Sequence, residues 1–315
     1  MISRRDSQPV TTLTIFTVPK PFFNPHIATI QRNAIQSWLH LGEEVEVLLI
    51  GQEPGLTELA TELEALGLPI RHLPAVMRNS FGTPLISSIF ALARQASQSP
   101  NLAYLNADIL ALPDLVQAAR VVSAQSTDFL LVGQRWDLDV TRPLDFSPGW
   151  PERLRLETQK RGHLHPPQGS DYFIFPRHLF TELPDLAVGR AGWDNWMIYY
   201  ARKNGWATID ATSDVMIIHQ SHDYSHLPEG KPHYDLEESD RNTQLAGGLH
   251  HLYTILDTNW QLEHGKLRRP SLTFLRALRS MEVWLTPKDG RRKGWQYALA
   301  RRFRRWRRAR TGEIY

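Results

Sequence analysis

The stretch Leu102-Ala103-Tyr104-Leu105-Asn106-Ala107-Asp108 is a short apolar run that ends in a polar turn and a carboxylate. Its composition predicts a buried β-strand, and similar runs begin near residues 13, 45, 70 and 129, with helical segments between them. Strands that alternate with helices indicate βαβ units and a largely parallel sheet. Ligands of such a sheet bind at the carboxyl ends of its strands, where Asp108 would lie.

Apolar periodicity and turn residues predict the other elements of the chain. Strands are predicted over residues 13–18, 45–50, 70–73, 102–105, 129–133, 171–175 and 215–219. Helices are predicted over residues 27–41, 56–66, 84–96, 113–123, 151–160 and 193–203, with weaker helical amphipathicity over 281–306. Thr83 is a candidate N-cap for the third of these helices. Residues 137–169, rich in Pro, Arg, Asp and His, predict a long excursion from the sheet.

Composition narrows the class of protein. The 315 residues are 42% hydrophobic and 22% charged, with a mean hydropathy of −0.37, which is ordinary globular composition. The absence of cysteine excludes disulfides, zinc-thiolate sites, iron–sulfur clusters and Cys nucleophiles. No run approaches the ~18 apolar residues of a membrane span. Residues 1–12 lack the apolar core of a secretory signal, and we expect a disordered lead-in there.

Charge is concentrated at the C-terminal end. Residues 291–310 contain ten basic residues and no acidic ones, so a formal net charge of +3 leaves −7 for the rest of the chain. On a helix, Trp295, Leu299, Phe303 and Trp306 would share one face, which resembles an interfacial helix attracted to anionic lipid. Nucleic acid is the rival partner, because phosphate attraction does not depend on sequence. A solvated tail is the simplest alternative.

Two carboxylates are candidates for chemistry. Asp108 at a strand end can hold a divalent cation that bridges a diphosphate, or it can cap its turn or pair with an Arg. Asp194, in Trp193-Asp194-Asn195-Trp196, begins a predicted helix. It can act as a general base or serve only as an N-terminal carboxylate stabilised by the helix dipole. The flanking tryptophans suit either a sugar-stacking wall or the core.

Histidines follow the last predicted strand. His219, His222 and His226 lie within eight residues, and a neutral imidazole there can complete a metal site or be a buried, hydrogen-bonded core residue. Asp171 directly precedes a strand and either binds sugar hydroxyls or caps a turn. His163 and His165 are expected to be loop residues without a role in the site.

The order of these motifs resembles that of GT-A-type nucleotide-diphospho-sugar glycosyltransferases over roughly residues 13–224. The resemblance implies a GT-A-like (Rossmann-like) α/β fold, with a mostly parallel central sheet flanked by helices, and a divalent metal, Mn²⁺ or Mg²⁺. In that superfamily an Asp-X-Asp motif binds the metal and the donor diphosphate, a later acid on a helix is the base of inverting members, and a C-terminal His can complete the metal shell. Here Asn106 stands where the motif has its first Asp, and the helix motif is Trp-Asp-Asn instead of the commoner Glu-Asp pair.

The resemblance also assigns roles to individual residues. The base would be Asp194, and the metal ligands would be Asp108 together with His219 or His222. Donor-binding residues would be Thr17, Val18, Pro19, Arg78, Asn79, Asn106, Ala107 and Asp108. Acceptor-binding residues would be Asp171, Tyr172, Trp193, Asn195, Asp223 and Tyr224.

Domain organisation and function follow from the same resemblance. Residues 13–265 would form the catalytic domain, with a nucleotide-sugar half over 13–135 and an acceptor half over 136–265, and residues 266–315 would form a basic amphipathic helical tail. We expect a metal-dependent, inverting glycosyltransferase in the cytoplasm, attached peripherally to the inner face of a membrane through residues 291–310. Its acceptor would be an envelope or lipid-linked glycan, and nucleic acid is not the expected partner.

Three alternatives remain open. One is a metal-dependent hydrolase built on His219, His222 and Asp223. Another is a non-enzymatic nucleic-acid binder that works through the Arg-rich tail. A third is a degenerate transferase that binds the donor without turning it over, because Asn106 is a weaker metal ligand than Asp.

Overall fold

The computed structural model describes residues 11–222, 236–288 and 293–311, and the statements below concern these residues. The described strands are β1 Leu13–Thr17, β2 Val45–Ile50, β3 Ile70–Leu73, β4 Asn101–Leu105, β5 Ile109–Ala111, β6 Phe129–Val132, β7 Arg135–Leu138, β8 His163–Leu164, β9 Tyr172–Pro176, β10 Ala207–Asp210, β11 Ile217–Gln220, β12 Trp260–Glu263 and β13 Lys266–Arg268. The described helices are α1 Pro25–Leu39, α2 Leu56–Ala65, α3 Ile86–Ala96, α4 Asp114–Ser123, α5 Trp150–Arg161, α6 Trp193–Lys203, α7 Glu237–Leu245, α8 Phe274–Leu285 and α9 Trp295–Thr311.

A large sheet forms the centre of the molecule, in the order β13-β12-β10-β6-β9-β4-β1-β2-β3. Its strands run parallel to one another except for β9, which is antiparallel to β4 and β6, and β13, which forms an antiparallel hairpin with β12. The largely parallel sheet with flanking helices that the sequence predicted is thereby confirmed. The insertion of β9 between β4 and β6 places the start of β9 next to the carboxyl end of β4.

Apolar layers cover both faces of this sheet. Successive residues of a strand point to opposite faces, so in β1 Ile15 joins one buried cluster and Phe16 the other. Helices α1, α2 and α4 complete the first cluster, and helices α3 and α6 complete the second. Strands buried on both faces read as continuous apolar runs, which is why the sequence pattern located them.

A second sheet has four short strands in the order β5-β11-β7-β8. Strand β11 is antiparallel to β5 and parallel to β7, and β8 is antiparallel to β7. The pairing sets His219 opposite Ile109 on one side and Asp137 on the other. One face of the sheet packs on α5 through a third apolar cluster that includes Leu138 and Ile218. The predicted excursion over 137–169 thus contains α5, all of β8 and the last two residues of β7.

The structure corrects several predicted boundaries. The third helix begins at Ile86 after Leu85, which supplies no side-chain cap, so Thr83 is not the N-cap. The large sheet continues past residue 265, because β13 pairs with β12. The turn between these two strands contains Gly265 in the left-handed conformation (φ 71°). The single weak helix predicted over 281–306 is replaced by α8 and α9. The expected lead-in lies mostly outside the described residues.

Helices α8 and α9 pack on each other through a buried cluster of charges. Glu282 of α8 is 1% exposed and accepts hydrogen bonds from Arg279 of its own helix and from Arg304 and Arg307 of α9. Arg279 also donates to Asp257, which joins α8 to the body of the protein. The tail helix is therefore docked through two of its arginines. Among the described helices, none is both long and apolar enough to cross a bilayer.

Candidate active site

Asp108, His219 and His222 converge where the two sheets meet. Asp108 follows β4 by three residues, and His219 lies in β11 opposite the residue that follows Asp108. One oxygen of the carboxylate and one nitrogen of each imidazole lie within 4.8 Å of one another. Asp108 Oδ2 is 3.1 Å from His222 Nε2, whereas Oδ1 is buried and accepts no hydrogen bond among the described residues. An unsatisfied buried oxygen beside two imidazoles fits a metal ion.

Asp137 orients one of these imidazoles. Its Oδ1 accepts hydrogen bonds from His219 Nδ1 (3.0 Å) and Arg135 Nε (3.0 Å), and its Oδ2 accepts from His165 Nδ1 (2.7 Å). Burial would raise the pKa of Asp137, but the hydrogen bonds from His165 and His219 and the charge of Arg135 hold that pKa well below its usual range. The contact occupies Nδ1 of His219 and leaves Nε2 as its ligand atom, the arrangement in which a carboxylate orients a metal-binding histidine.

The protonation of His219 suits the same role. Burial lowers the pKa of His219, and the neighbouring positive charge of Arg135 lowers it further, against the opposing effect of Asp137. The neutral imidazole is the form that binds metals.

Lys20 reaches into this cluster. Its Nζ is 3.1 Å from Asp108 Oδ2 and 2.9 Å from His222 Nε2. Burial would raise the pKa of Asp108, but the charge of Lys20 and the hydrogen bond from His222 outweigh that effect and keep the pKa well below its usual range. The carboxylate of Asp108 is therefore ionised and already pairs with the positively charged side chain of Lys20.

Asp171 connects this cluster to the next carboxylate. Its Oδ1 accepts a hydrogen bond from Asn106 Nδ2 (2.7 Å), and its Oδ2 accepts from Arg135 Nη1 (2.7 Å). The backbone amide of Asn106 also donates to the carbonyl of Asp171. Both carboxylate oxygens thus have partners within the protein, and the side chain is only 9% exposed. The carboxylate of Asp171 therefore fixes Asn106 and Arg135.

Asp194 lies at the first turn of α6, after Gly192 in a left-handed conformation (φ 102°). Burial raises the pKa of Asp194 to about 6, with a further contribution from the negative charge of Asp171, while backbone hydrogen bonds offset part of the increase. Among the described residues, no Lys, Arg or His forms an ion pair with this carboxylate. A carboxylate with a pKa near neutrality and no bound cation has the properties of a general base.

Several residues expected to bind an acceptor lie elsewhere. Tyr172 is fully buried in the core of the large sheet, because the residue after Asp171 points to the opposite face. Trp193 is 4% exposed and packs on Tyr104 and Phe173, so it is a core residue and not a wall of the site. Asn195 donates its amide hydrogens to two backbone carbonyls. Asp223 and Tyr224 lie outside the described residues.

The expected donor-binding residues are held mainly by the protein itself. The residues over 17–19 lie at the end of β1, where Thr17 and Pro19 are buried and Val18 is half-buried. Arg78 pairs with Glu53 (2.8 Å), and Asn79 caps its own loop and donates to Glu238. Ala107 is 6% exposed. Residues 17–19 and Ala107 lie at the carboxyl ends of β1 and β4, and Arg78 and Asn79 lie in the segment that follows β3.

Sequence reasoning missed four residues of the site: Lys20, Arg135, Asp137 and His165. The two prolines that flank Lys20 were a visible signal of a fixed backbone. Arg135, Asp137 and His165 gave no such signal, because their contacts depend on the pairing of β7 with β8 and β11.

Comparison by sequence gave no match, neither to a family model nor to a curated protein. Comparison by structure found TarS of S. aureus (residues 1–349, with UDP-GlcNAc) at a TM-score of 0.48 and 10% identity, covering 75% of this chain and 70% of that chain. A mannosyltransferase of Pyrobaculum calidifontis with GDP-Man and Mn²⁺ has a TM-score of 0.43 and 15% identity over 69% of this chain and 59% of the other.

A third structure, GalNAc-T7 with UDP, GalNAc and Mn²⁺, has a TM-score of 0.43 and 15% identity. The match covers 95% of this chain and 55% of that chain, so the present chain spans only part of its length. All three structures hold a nucleotide or nucleotide sugar. All three TM-scores lie below 0.5, and none of the identities exceeds 15%.

Proposed function

We propose that this protein is a GT-A-type glycosyltransferase that moves a sugar from a nucleotide-diphospho-sugar to an acceptor hydroxyl. The observation that carries the proposal is the metal-ligand cluster of Asp108, His219 and His222, linked through Arg135 and Asp171 to a second carboxylate, Asp194. Ligands of a largely parallel sheet bind at the carboxyl ends of its strands, which supports a cation site and a base there.

The cluster would hold a divalent cation. One carboxylate and two imidazoles favour a transition metal such as Mn²⁺ over Mg²⁺, which prefers oxygen ligands and retains water. A cation there would stabilise the negative charge that develops on the leaving nucleoside diphosphate. Asp137 would keep His219 in the ligand tautomer.

Asp194 would serve as the general base. The acceptor oxygen attacks the anomeric carbon, the bond from that carbon to the diphosphate oxygen breaks, and the acceptor proton passes to the Asp194 carboxylate. Direct attack of this kind inverts the anomeric configuration. Asp171 supports the step by raising the pKa of Asp194, and Arg135 holds Asp171 in place.

A ligand screen tests the proposal. Purified protein is heated with UDP, GDP, CMP or dTDP, with and without Mn²⁺ or Mg²⁺. A ligand at 100 times its dissociation constant stabilises the folded state by about 2.7 kcal/mol, which gives a clear shift in Tm. We expect a metal-dependent shift with one nucleotide, followed by release of that nucleotide from its sugar conjugate.

Asp108→Ala should abolish the metal-dependent shift, because it removes the only carboxylate of the described cluster. Asp128→Ala is the matched control, since Asp128 is half-exposed and pairs only with His178 among the described residues. A nucleotide shift in Asp108→Ala equal to that of the wild type contradicts the metal role. Phosphate-ester hydrolysis without any nucleotide-sugar turnover would support the hydrolase instead.

We also propose that α8 and α9 hold the enzyme against an anionic membrane at the inner face, where a lipid-linked or envelope glycan would be the acceptor. Trp284 of α8 and Trp295 of α9 are 75% and 70% exposed, and Phe274 and Trp306 are also exposed. Exposed arginines, including Arg301, Arg302 and Arg305, lie on α9 beside these aromatic residues. Interfacial aromatic residues together with basic ones are typical of peripheral membrane binding.

Vesicle sedimentation tests this attachment. Trp284→Ser with Trp295→Ser should reduce binding to vesicles of phosphatidylserine and phosphatidylcholine, whereas Leu66→Ser, at a site 70% exposed on α2's C-terminal side, should not. These substitutions leave the hydrogen bonds of Glu282 intact. Deletion of α9 would remove two of its partners, Arg304 and Arg307. Unchanged vesicle binding, or salt-sensitive binding of RNA in its place, would contradict the membrane role.

A further inference from the structure

Lys20 occupies an unusual place for a lysine. Its ammonium nitrogen, the Oδ2 atom of Asp108 and the Nε2 atom of His222 form a triangle with sides of 2.9 to 3.1 Å. Two corners of that triangle belong to the three-residue cluster that could bind a metal. The lysine therefore places a positive charge where two candidate metal ligands converge.

The backbone at Lys20 is fixed by the protein. Gln31 of α1 is 1% exposed, and its side chain accepts a hydrogen bond from the amide of Lys20 (2.5 Å) and donates one to its carbonyl (2.9 Å). Pro19 and Pro21 restrict the chain on either side. A buried glutamine committed to one residue's backbone shows that the position of Lys20 is built into the fold.

A metal ion and the ammonium group would compete for Asp108. Like charges within a few ångströms repel strongly in a partly buried site, and Asp108 Oδ2 already accepts from Lys20. The side chain of Lys20 is 31% exposed, while those of Asp108 and His222 are each 8% exposed. The lysine is therefore more accessible to a ligand than these two cluster residues.

We propose that Lys20 is a cationic ligand of the donor's diphosphate, held by Asp108 until metal and donor bind. The proposal rests on the glycosyltransferase function given above and adds a binding residue to its site. A lysine ammonium is a compact charge with three donors that suits phosphate oxygens. Lys20 and the metal ion would thus both bind the diphosphate. Asp108 would release the ammonium group of Lys20 and bind the metal ion in its place.

Two titrations test this role on the full chain, with inorganic pyrophosphate and Mn²⁺ as probes. In EDTA, Lys20→Met should bind pyrophosphate at least about tenfold more weakly than the wild type, because a charged donor is lost. With Mn²⁺ alone, Lys20→Met should bind about tenfold more tightly, because a competing charge is removed. Lys266→Met, at an exposed position of β13, should change neither affinity. Lys20→Gln is the second variant if Lys20→Met folds poorly, which circular dichroism would show.

The outcomes separate this role from the function on which it rests. If the wild type binds a nucleotide with Mn²⁺ but Lys20→Met and Lys20→Gln retain the wild-type pyrophosphate affinity, the role of Lys20 is wrong and the proposed function stands. If the wild type binds neither pyrophosphate nor any nucleotide, both are wrong.

Discussion

The two sheets of this protein use their side chains differently. In the nine-stranded sheet, the central strands β1 and β4 are buried along their whole length and supply apolar clusters on both faces. In the four-stranded sheet, β7 places Trp136 and Leu138 against α5, while Arg135 and Asp137 face the metal-ligand cluster. The large sheet supplies most of the buried apolar surface, and the small sheet supplies the hydrogen bonds that orient the site.

This division has an energetic reason. A buried ion pair or polar network gives little net stability, because the cost of removing charges from water offsets their attraction. Apolar burial in the large sheet must therefore stabilise a fold that contains the Asp137 network. We expect substitutions in the large sheet to change the free energy of unfolding, and substitutions around the site to change binding and rate.

The largest effect should follow from removing the proposed base. Asp194→Asn should lower turnover by a factor of about 10² to 10⁴, the usual contribution of general base catalysis, without weakening metal-dependent nucleotide binding. Steady-state rates and calorimetric titrations measure the two quantities. Asp185→Asn is the control, because Asp185 is exposed and bonds only to Ser87 among the described residues. Wild-type turnover in Asp194→Asn would mean that another group accepts the proton.

A substitution in the apolar layer that covers one face of the large sheet should instead lower stability without changing metal binding. Phe90 of α3 belongs to this layer. Phe90 is fully buried, stacks on Phe175 (5.4 Å between ring centroids) and meets the edge of Phe16 (5.0 Å). Phe90→Ala should cost about 3 to 5 kcal/mol of unfolding free energy, measured in urea. Phe81→Ala, at a site 53% exposed, should cost far less. If folded Phe90→Ala also lost Mn²⁺ affinity, the two regions would not be separable.

A smaller effect is expected from the residue that orients His219. Asp137→Asn should weaken Mn²⁺ binding by about 10- to 100-fold, because an outer carboxylate sets the tautomer of a metal-binding histidine. Nitrogen-15 NMR of the imidazoles should show a changed Nδ1–H population at His219. Asp139→Asn, two residues along and exposed, is the matched control. An unchanged tautomer and affinity would remove Asp137 from the site.

The large sheet was predictable because its strands are uninterrupted apolar runs. Asp108, His219 and Asp194 could be chosen as candidates from their positions at strand and helix ends, which the chain order alone reveals. Strand β7 (Arg-Trp-Asp-Leu) and the two-residue β8 carry no such pattern, so the pairing of His219 with Asp137 could not be foreseen. Tyr172 and Trp193 were misassigned because sequence proximity to Asp171 and Asp194 does not reveal which face a side chain takes.

The smallest effect concerns the pH dependence of stability. Asp194 has a pKa of about 6 in the folded protein and near 3.9 when unfolded, so the folded state favours the protonated carboxyl. That contribution is present below pH 4 and is lost as the pH rises through 6. Asp194→Asn should therefore gain about 1 to 2 kcal/mol over the wild type between pH 4 and pH 8, a value reduced for partial solvent exposure.

Urea unfolding of both proteins at the two pH values measures this difference, and a difference that does not change with pH would contradict the raised pKa. Asp194 lies on α6, a helix that packs against the large sheet. The pKa of its carboxylate is nevertheless raised in part by the negative charge of Asp171, which lies in the candidate site. Asp194, which lowers stability at neutral pH and is the proposed base, is where the two regions meet. Its substitution should trade one property for the other, since the same desolvation causes both.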